Sequence, residues 1–398
     1  MEANALSNIT VLDLTRVMAG PYCTMYLADL GANVIKIENP NGGDDTRKFP
    51  PFKNGESLYY ANVNRNKKGV TLNLKAPEGK ELFKKLVKSA DVVVENFRPG
   101  VMDKLGLGYD VLKEINPRIV YGAVSGFGSY GPLHERPGYD IIAQAMSGLM
   151  SLTGEAGGGP IRTGSAIGDL VGGLNLTIGV LAALNARQLT GKGQRVDVSL
   201  VDGLVSFLET NTQRYQVNGE QPPRMGNRYP SAAPYDSFKA SDGEFVIGCG
   251  NDKLFSLLCN KVLNLPELPA DPLYDSPTNR LTNQASLKVI IEKWSTQHTI
   301  EEAVDLILAA GVPAAPIYDI KAVMENDHIA NVREMFLDCE HPTAGHLRIN
   351  GNPVKLMDSM PRLRTPAPAL GQDNESVYGQ MLGLSAEEVS ALKSNGVL

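Results

Sequence analysis

Residues 9–38, ITVLDLTRVMAGPYCTMYLADLGANVIKIE, decide the fold. ITVLDL and ANVIKIE are short apolar, β-branched runs. Between them PYCTMYLADLG reads as a helix, with Pro21 in its first turn and Gly31 just past its end. Strand, helix and strand in this order make a βαβ unit with parallel strands. The alternation continues downstream: PEGKELFKKLVKSA is an amphipathic helix, DVVVENF a strand, GYDVLKEINP a helix and RIVYGAVSG a strand. QRVDVSL, from Gln194, is one more strand, followed by a helix led by Val201–Asp202–Gly203. Apolar runs with little alternation suit strands covered on both faces. The large domain is therefore expected to be an open, Rossmann-like parallel α/β sheet.

The texture changes after that helix. NGEQPPRMGNRYPSAAP is rich in Pro, Gly and Asn and reads as a linker. YDSFKASDGEFVIGCGN predicts two antiparallel strands around Ser241–Asp242–Gly243, and LFSLLCNKVL and the stretch from Ile300 to Gly311 are helical. The expected organisation is a first part of the large α/β domain over 1–200, a linker over 201–229, a smaller α+β domain over 230–320, and a return segment over 321–398 that completes the large domain. The tail reads as loop-rich, ending in a short helix before Val397.

The chain of 398 residues is 42% hydrophobic and 21% charged, with net charge −6. That balance fits a globular protein and argues against a nucleic-acid binder. The four cysteines form no CxxC pair, and the five histidines give neither HExxH nor zinc spacing, so no metal site is signalled. The start, MEANALSNITVLDL, lacks a basic segment followed by an apolar core, which gives an expectation of the cytoplasm. The uncharged run Leu170–Ala186 is shorter than the roughly 18–20 apolar residues of a membrane span and reads as a core helix, with no membrane partner expected.

Several chemistries lack their residues. There is no GxSxG elbow and no GxxxxGK[ST] phosphate loop. The first strand–helix turn, TRVMAGP, lacks GxGxxG; GFGSYG, from Gly126, matches that pattern but runs on into PLHERP and reads as a loop. What remains is one carboxylate, Asp169, in TGSAIGDLVGGLN, at the mouth of the uncharged run. Asp169 can be a helix cap, accepting orphan amides. A cap needs neither Gly168 before it nor Gly172–Gly173 one turn inside, where each glycine costs about 1 kcal/mol. Those glycines imply a close approach by another backbone or a ligand. The functional alternative is a carboxylate nucleophile, which needs an activated acyl group and a sheltered covalent intermediate.

VLDLTRVMAGPYCTMYLADLGANVIKIENPNGGDDTR, ADVVVENFRPGVMDKLGL, RPGYDIIAQAMSGLM and SAIGDLVGG together resemble the class III CoA-transferases, the family of formyl-CoA transferase and carnitine CoA-transferase. The match runs from about residue 8 nearly to the C-terminus. GNRYPSAAPYDSF, CGNDKLFSLLC and RLTNQASL look most like its oxalate-directed branch. The resemblance implies that Asp169 is the nucleophile, passing through a mixed anhydride and an aspartyl-CoA thioester. It implies acyl-CoA and a small carboxylic acid as substrates, with no cofactor. It also implies an interlocked homodimer, each ring having a large domain built from both chain ends.

The family's CoA contacts fall on Met18 and Ala19, on Leu72 to Lys75, on Asn96, Phe97 and Arg98, on Lys104, and on Arg136 to Tyr139. Lys75, Arg98, Lys104 and Arg136 would supply charge for phosphates; each can equally be a solvated surface cation. Tyr139 would line the acyl site, and Gly248, Gly250 and Asn251 fall on a glycine-rich segment over it. Cys249 reads as a buried thiol. The chain departs from formyl-CoA transferases in three places: Met18 replaces a glutamine, Asn39 replaces an arginine, and a run of four glycines is absent. Two alternatives stand beside transfer. A 2-methylacyl-CoA racemase would need a His/Asp pair, with His134 as the earliest histidine, and a non-catalytic CoA-binding protein would need no nucleophile.

Overall fold

Strands β1 (Thr10–Asp13), β2 (Asn33–Glu38), β3 (Lys67–Thr71), β4 (Val92–Glu95), β5 (Val120–Ser125) and β6 (Arg195–Ser199) form one parallel sheet in the computed structural model, which describes residues 4–398. Their spatial order is β3-β2-β1-β4-β5-β6, each pair in parallel register. The chain winds outward from β1 to β3, then restarts beside β1 at β4. The loops leaving β1 and β4 therefore diverge, and a crevice opens between them, where open α/β sheets bind ligands.

Around this sheet lie α1 (Ala19–Asp29), α2 (Leu58–Asn64), α3 (Pro77–Val87), α4 (Val101–Leu105), α5 (Tyr109–Ile115), α6 (Asp140–Met146), α7 (Ile167–Thr190) and α8 (Leu200–Ser206). Side-chain alternation splits each strand between two cores. Leu12, Ile35, Val70 and Val93 pack with Phe83 and Leu86 of α3 on one face. Val11, Val34, Val92 and Val94 pack with Leu27 of α1 and Leu176 and Val180 of α7 on the other.

The chain divides into two compact units: Met1–Leu149, Arg162–Thr212 and Asp327–Leu398 make the first, and Met150–Ile161 with Gln213–Asn326 the second. The second unit has its own antiparallel sheet, β7 (Tyr235–Lys239), β8 (Glu244–Gly248) and β9 (Ala314–Pro316), with α9 (Asp252–Leu258), α10 (Gln284–Ser295) and α11 (Ile300–Ala309). Phe238, Phe245, Phe255, Ile291 and Ile307 fill its core.

Two expectations need correction. The tail is not merely loops before one helix: it forms a hairpin, β10 (Phe336–His341) and β11 (Gly345–Asn350), then α12 (Asn374–Leu382) and α13 (Ala386–Ser394). It also clamps the edge strand β3. Asp373 accepts from the Gly69 amide at 2.7 Å, Asn374 from the Thr71 amide at 2.9 Å, and the Tyr378 hydroxyl donates to the Thr71 carbonyl at 2.7 Å. These bonds occupy groups that an open sheet edge would leave bare. The apolar helix, secondly, is buried on one side only. α7 is long and apolar enough to cross a membrane by length and composition, and half of its most apolar window is buried. Leu176 and Val180 pack against Gly122 of β5, whereas Ile178 and Leu189 are 64% and 85% exposed.

The Tyr378 hydroxyl is wholly buried with its acceptor. Tyr378→Phe should destabilise the first unit by about 1 kcal/mol. A denaturant midpoint unchanged from wild type would show that this clamp contributes nothing.

Candidate active site

The crevice begins with the turn after β1. Thr15 bonds through its amide and hydroxyl to Asp13 Oδ1, and Val17 follows with φ of 68°. A β-branched residue in the left-handed region costs roughly 1–3 kcal/mol unless its surroundings impose it. Here they do. The Val17 amide donates to Asp44 at 3.2 Å, Asp44 pairs with Lys36 at 2.9 Å, and Lys36 also donates to the Thr15 carbonyl at 2.9 Å. One strand over, Lys67 pairs with Asp13 at 3.0 Å and donates to the Pro21 carbonyl at 3.1 Å. All four charged side chains are essentially inaccessible. Burial alone would raise the Asp13 and Asp44 carboxyls; the lysine charges together with the hydrogen bonds from Thr15 and Thr24 to Asp13, and from Thr46 and Lys36 to Asp44, outweigh it and leave both below the usual carboxylate range.

The loop after β4 forms the opposite wall. Asn96 accepts from the Arg16 amide at 2.9 Å and donates to the Arg16 carbonyl at 2.7 Å, so the two loops are stitched together reciprocally. Glu95 accepts from the Phe97 amide at 2.7 Å and from the Tyr121 hydroxyl at 3.2 Å. Burial pushes its carboxyl up to about 7 despite those donors. The GFGSYG segment is a loop, as expected: Gly128 and Gly131 have positive φ. A Cβ on Gly126 would lie 2.7 Å from the Gly138 Cα, so these glycines let the 136–139 segment close against the end of β5.

Between these walls is a cleft. Met18 and Ala19 line it from the first loop, Asn96, Phe97 and Arg98 from the second, and Arg136 to Tyr139 from the third, with Asp169 at its floor. Most of the residues expected around CoA thus meet in one place. Arg16, absent from the sequence reading, joins them; its guanidinium pairs with Asp45 at 3.2 Å and sits 5.9 Å over the Phe97 ring.

Asp169 is not the cap of its helix. Ala166 holds that position without a side-chain bond, Asp169 lies within the first turn, and among the described residues its carboxylate accepts no hydrogen bond. The glycines explain its location. A Cβ on Gly173 would sit 2.6 Å from the Ala19 carbonyl, and one on Gly172 2.5 Å from Leu200. The close approach is therefore by the backbone of α1, and it seats Asp169 beside Met18 and Ala19. Asp140 accepts from the Gly168 amide and from Gln144, each at 2.8 Å, and so anchors the start of α7. Burial first, then the Asp140 charge, push the Asp169 carboxyl up to about 7. Tyr59, on α2, was also missed: burial and then the charges of Asp169, Asp44 and Asp140 drive its hydroxyl up to about 12. No local motif announces Tyr59 or Asp140; each acts through proximity made by the fold.

Other expected contacts lie elsewhere. Leu72 is buried in the sheet core, while Lys75 and Lys104 are exposed, and none of the three lines the cleft. Gly248, Gly250 and Asn251 belong to the second unit, where Asn251 caps α9 by accepting from the Leu254 amide, and the space a Cβ on Gly250 would take is open. Cys249 is a buried thiol pushed up to about 12 by burial.

A crevice at the switch point of a parallel sheet, lined by arginines and one carboxylate, is where open α/β folds hold ligands. The family model for CoA-transferase family III matches residues 6–374, and the chain belongs to that family. It is 43% identical over 371 residues, 93% of this chain and 94% of the relative, to an acetyl-CoA:oxalate CoA-transferase of Acetobacter aceti. It is 41% identical over 378 residues, 92% of this chain and 94% of the relative, to a succinyl-CoA:mesaconate CoA-transferase of Haloarcula marismortui. A crystal structure of a CAIB/BAIF family protein from Brucella suis superposes with TM-score 0.84 at 36% identity, covering 95% of this chain and 99% of that one.

Carbodiimides add most readily to the protonated carboxyl, so Asp169 should keep its labelling rate up to about pH 7, where ordinary carboxylates, ionised above roughly pH 4, react far more slowly. Asp140→Asn removes a negative neighbour while keeping an oxygen for the Gly168 amide. The titration should then move to lower pH. Peptide mapping that finds the same limb in both proteins would remove Asp140 from the electrostatics of the site.

Proposed function

We propose that this chain moves CoA from an acyl-CoA donor to a short dicarboxylic acid, oxalate or a close analogue, with Asp169 as covalent carrier. The observation that carries this reading is the half-buried Asp169 carboxylate, which accepts no hydrogen bond from the described residues and lines a cleft with Arg16, Arg98 and Arg136. A carboxylate without donors keeps its electron density for attack. The amides of the first turn of α7 favour negative charge there, so burial does not neutralise it entirely.

The Asp169 carboxylate attacks the thioester carbonyl of the donor, here acetyl-, formyl- or succinyl-CoA. The carbon–sulfur bond breaks, leaving a mixed anhydride and CoA thiolate. The thiolate attacks the aspartyl carbonyl and expels the donor acid, leaving aspartyl-CoA. The acceptor carboxylate attacks that thioester and releases thiolate, which then attacks the acceptor carbonyl and regenerates Asp169. Each step exchanges one nucleophile for one leaving group, with no net proton or electron transfer, so the cycle needs neither a metal nor a redox cofactor. Thioesters of similar energy stand at both ends, so catalysis rests on positioning and on stabilising the developing oxyanions. The relatives named for oxalate and mesaconate support a dicarboxylate as acceptor.

Racemisation finds less support. His134 lies on a loop, its Nδ1 2.7 Å from the Gly131 carbonyl, and among the described residues no histidine lines the cleft. The interlocked homodimer is part of the same proposal. The bare side of α7, with Ile178 and Leu189, and the exposed Val205 and Phe207 beside it are apolar area for a second copy to cover.

Asp169→Ala should reduce transfer from acetyl-CoA to oxalate at least a thousandfold while CoA still binds, and Asp169→Asn should behave alike, because neither can form the anhydride. Thioester products are read by mass spectrometry across a panel of acids. Transfer by the Ala variant within tenfold of wild type would reduce Asp169 to a bystander. Sizing at nanomolar concentration should give dimer alone; a folded, active monomer would refute the threaded assembly.

A further inference from the structure

Val17 holds a left-handed backbone that a glycine would enter freely and a β-branched residue enters only under strain. The turn that contains it is held at several points by buried charge. Asp44 accepts from the Val17 amide, Lys36 donates to the Thr15 carbonyl, and Lys67 donates to the Pro21 carbonyl. Asp44 is itself fixed: its amide donates to Glu38 at 2.9 Å, it accepts from the Thr46 amide at 2.9 Å and hydroxyl at 2.8 Å, and it pairs with Lys36. The two residues after Val17 are Met18 and Ala19, which line the cleft with Asp169. α1 starts at Ala19 with no side-chain cap, so its first amides are left for an occupant of the cleft.

We propose that Asp44 is a positioning residue for the transfer reaction: through its bond to the Val17 amide it holds the turn in a left-handed conformation that the sequence would not adopt unaided, and so sets the Met18–Ala19 backbone against the reacting acyl group. The proposal rests on the transferase reading above. Buried ion pairs are weak sources of stability relative to apolar residues of the same size, but they fix one conformation among several. The lattice therefore matters for where the Met18–Ala19 backbone lies more than for how firmly the sheet holds. The two arginines proposed to hold the CoA phosphates, Arg98 and Arg136, stand on other loops than that turn.

The test compares Asp44→Asn, which keeps an oxygen for the Val17 amide, with Asp44→Ala, which does not. Asp44→Asn should keep kcat within about threefold, whereas Asp44→Ala should lower kcat at least tenfold with KM for acyl-CoA nearly unchanged. Lys36→Met/Asp44→Ala should show the same kcat loss, with no stranded ammonium left to unfold the core. Adding Val17→Gly to either Ala variant should recover much of kcat, because glycine takes the turn conformation without strain. Hydrogen exchange of the peptide spanning Thr15 to Ala19 should quicken in the Ala variants, a readout that needs no substrate. Unchanged kcat in both Ala variants, a loss confined to KM, or no recovery with Val17→Gly would each overturn the proposal. A wild-type protein without transfer activity, but with quickened exchange in the Ala variants, would count against the transferase reading and leave the positioning of the turn standing.

Discussion

Everything in the cleft depends on how closely α7 can approach α1. At Gly173 no side chain fits, because the Ala19 carbonyl would be 2.6 Å from its Cβ. Residues at the starts of both helices, Ala19 of α1 and Asp169 of α7, thereby line the same cleft. A carboxylate placed in the first turn of one helix then lies beside the first turn of the other. A larger residue at 173 would push α7 away from α1 and carry Asp169 out of the crevice, whereas at 172 it would first meet the tip of the Leu200 side chain. The 1 kcal/mol or so that each glycine costs a helix secures this position.

The electrostatics follow a division of labour. Deep in the unit, Asp13, Asp44, Lys36 and Lys67 neutralise one another and fix the backbone of the first loop. At the rim, Arg16 and its partner Asp45 are about half exposed, in a setting where an ion pair contributes little and a competing anion can displace it. Between the two, Asp169 and Asp140 are like charges in a poorly solvated place, and the Asp169 carboxyl shifts upward in consequence. Fixed charge builds the floor, and mobile charge is left where a phosphorylated ligand would arrive.

The strands β1, β2, β4 and β5 were legible because each is a largely apolar run bounded by turn residues, and β6, Arg195–Ser199, because its valines alternate with polar residues. β3 was not, since it begins Lys67–Lys68 and looks solvated; only tertiary pairing of Lys67 with Asp13 makes it a sheet strand. The hairpin and α12 near the C-terminus were hidden by loop-forming residues around them; α12 is ordered by contact with β3, and the hairpin by packing Leu347 and Ile349 with Tyr60 and Ala61 of α2. The glycines around Asp169 correctly signalled a close approach, but sequence alone left open whether a backbone or a ligand made it. Met18, Ala19, Asn96, Arg98, Arg136, Tyr139 and Asp169 do share one cleft, whereas Leu72, Lys75 and Lys104 do not line it. Tyr59, Asp140, Arg16 and the strained Val17 had no signal, because a residue's backbone angle and its neighbours across the sheet are properties of the folded chain.

The central claim, that Asp169 exchanges its own oxygens with the acids it serves, is tested most directly by isotope transfer. The enzyme is cycled with acyl-CoA and an acceptor acid whose carboxylate oxygens are both oxygen-18, then digested, and the peptide spanning Ser165 to Leu174 is weighed. Attack of the acceptor on aspartyl-CoA, followed by collapse of the anhydride at the acceptor carbonyl, leaves an acceptor oxygen on Asp169, so this peptide should gain heavy oxygen and fragmentation should place it on the aspartate. A peptide that stays unlabelled through many turnovers, or label on another residue, would contradict the account.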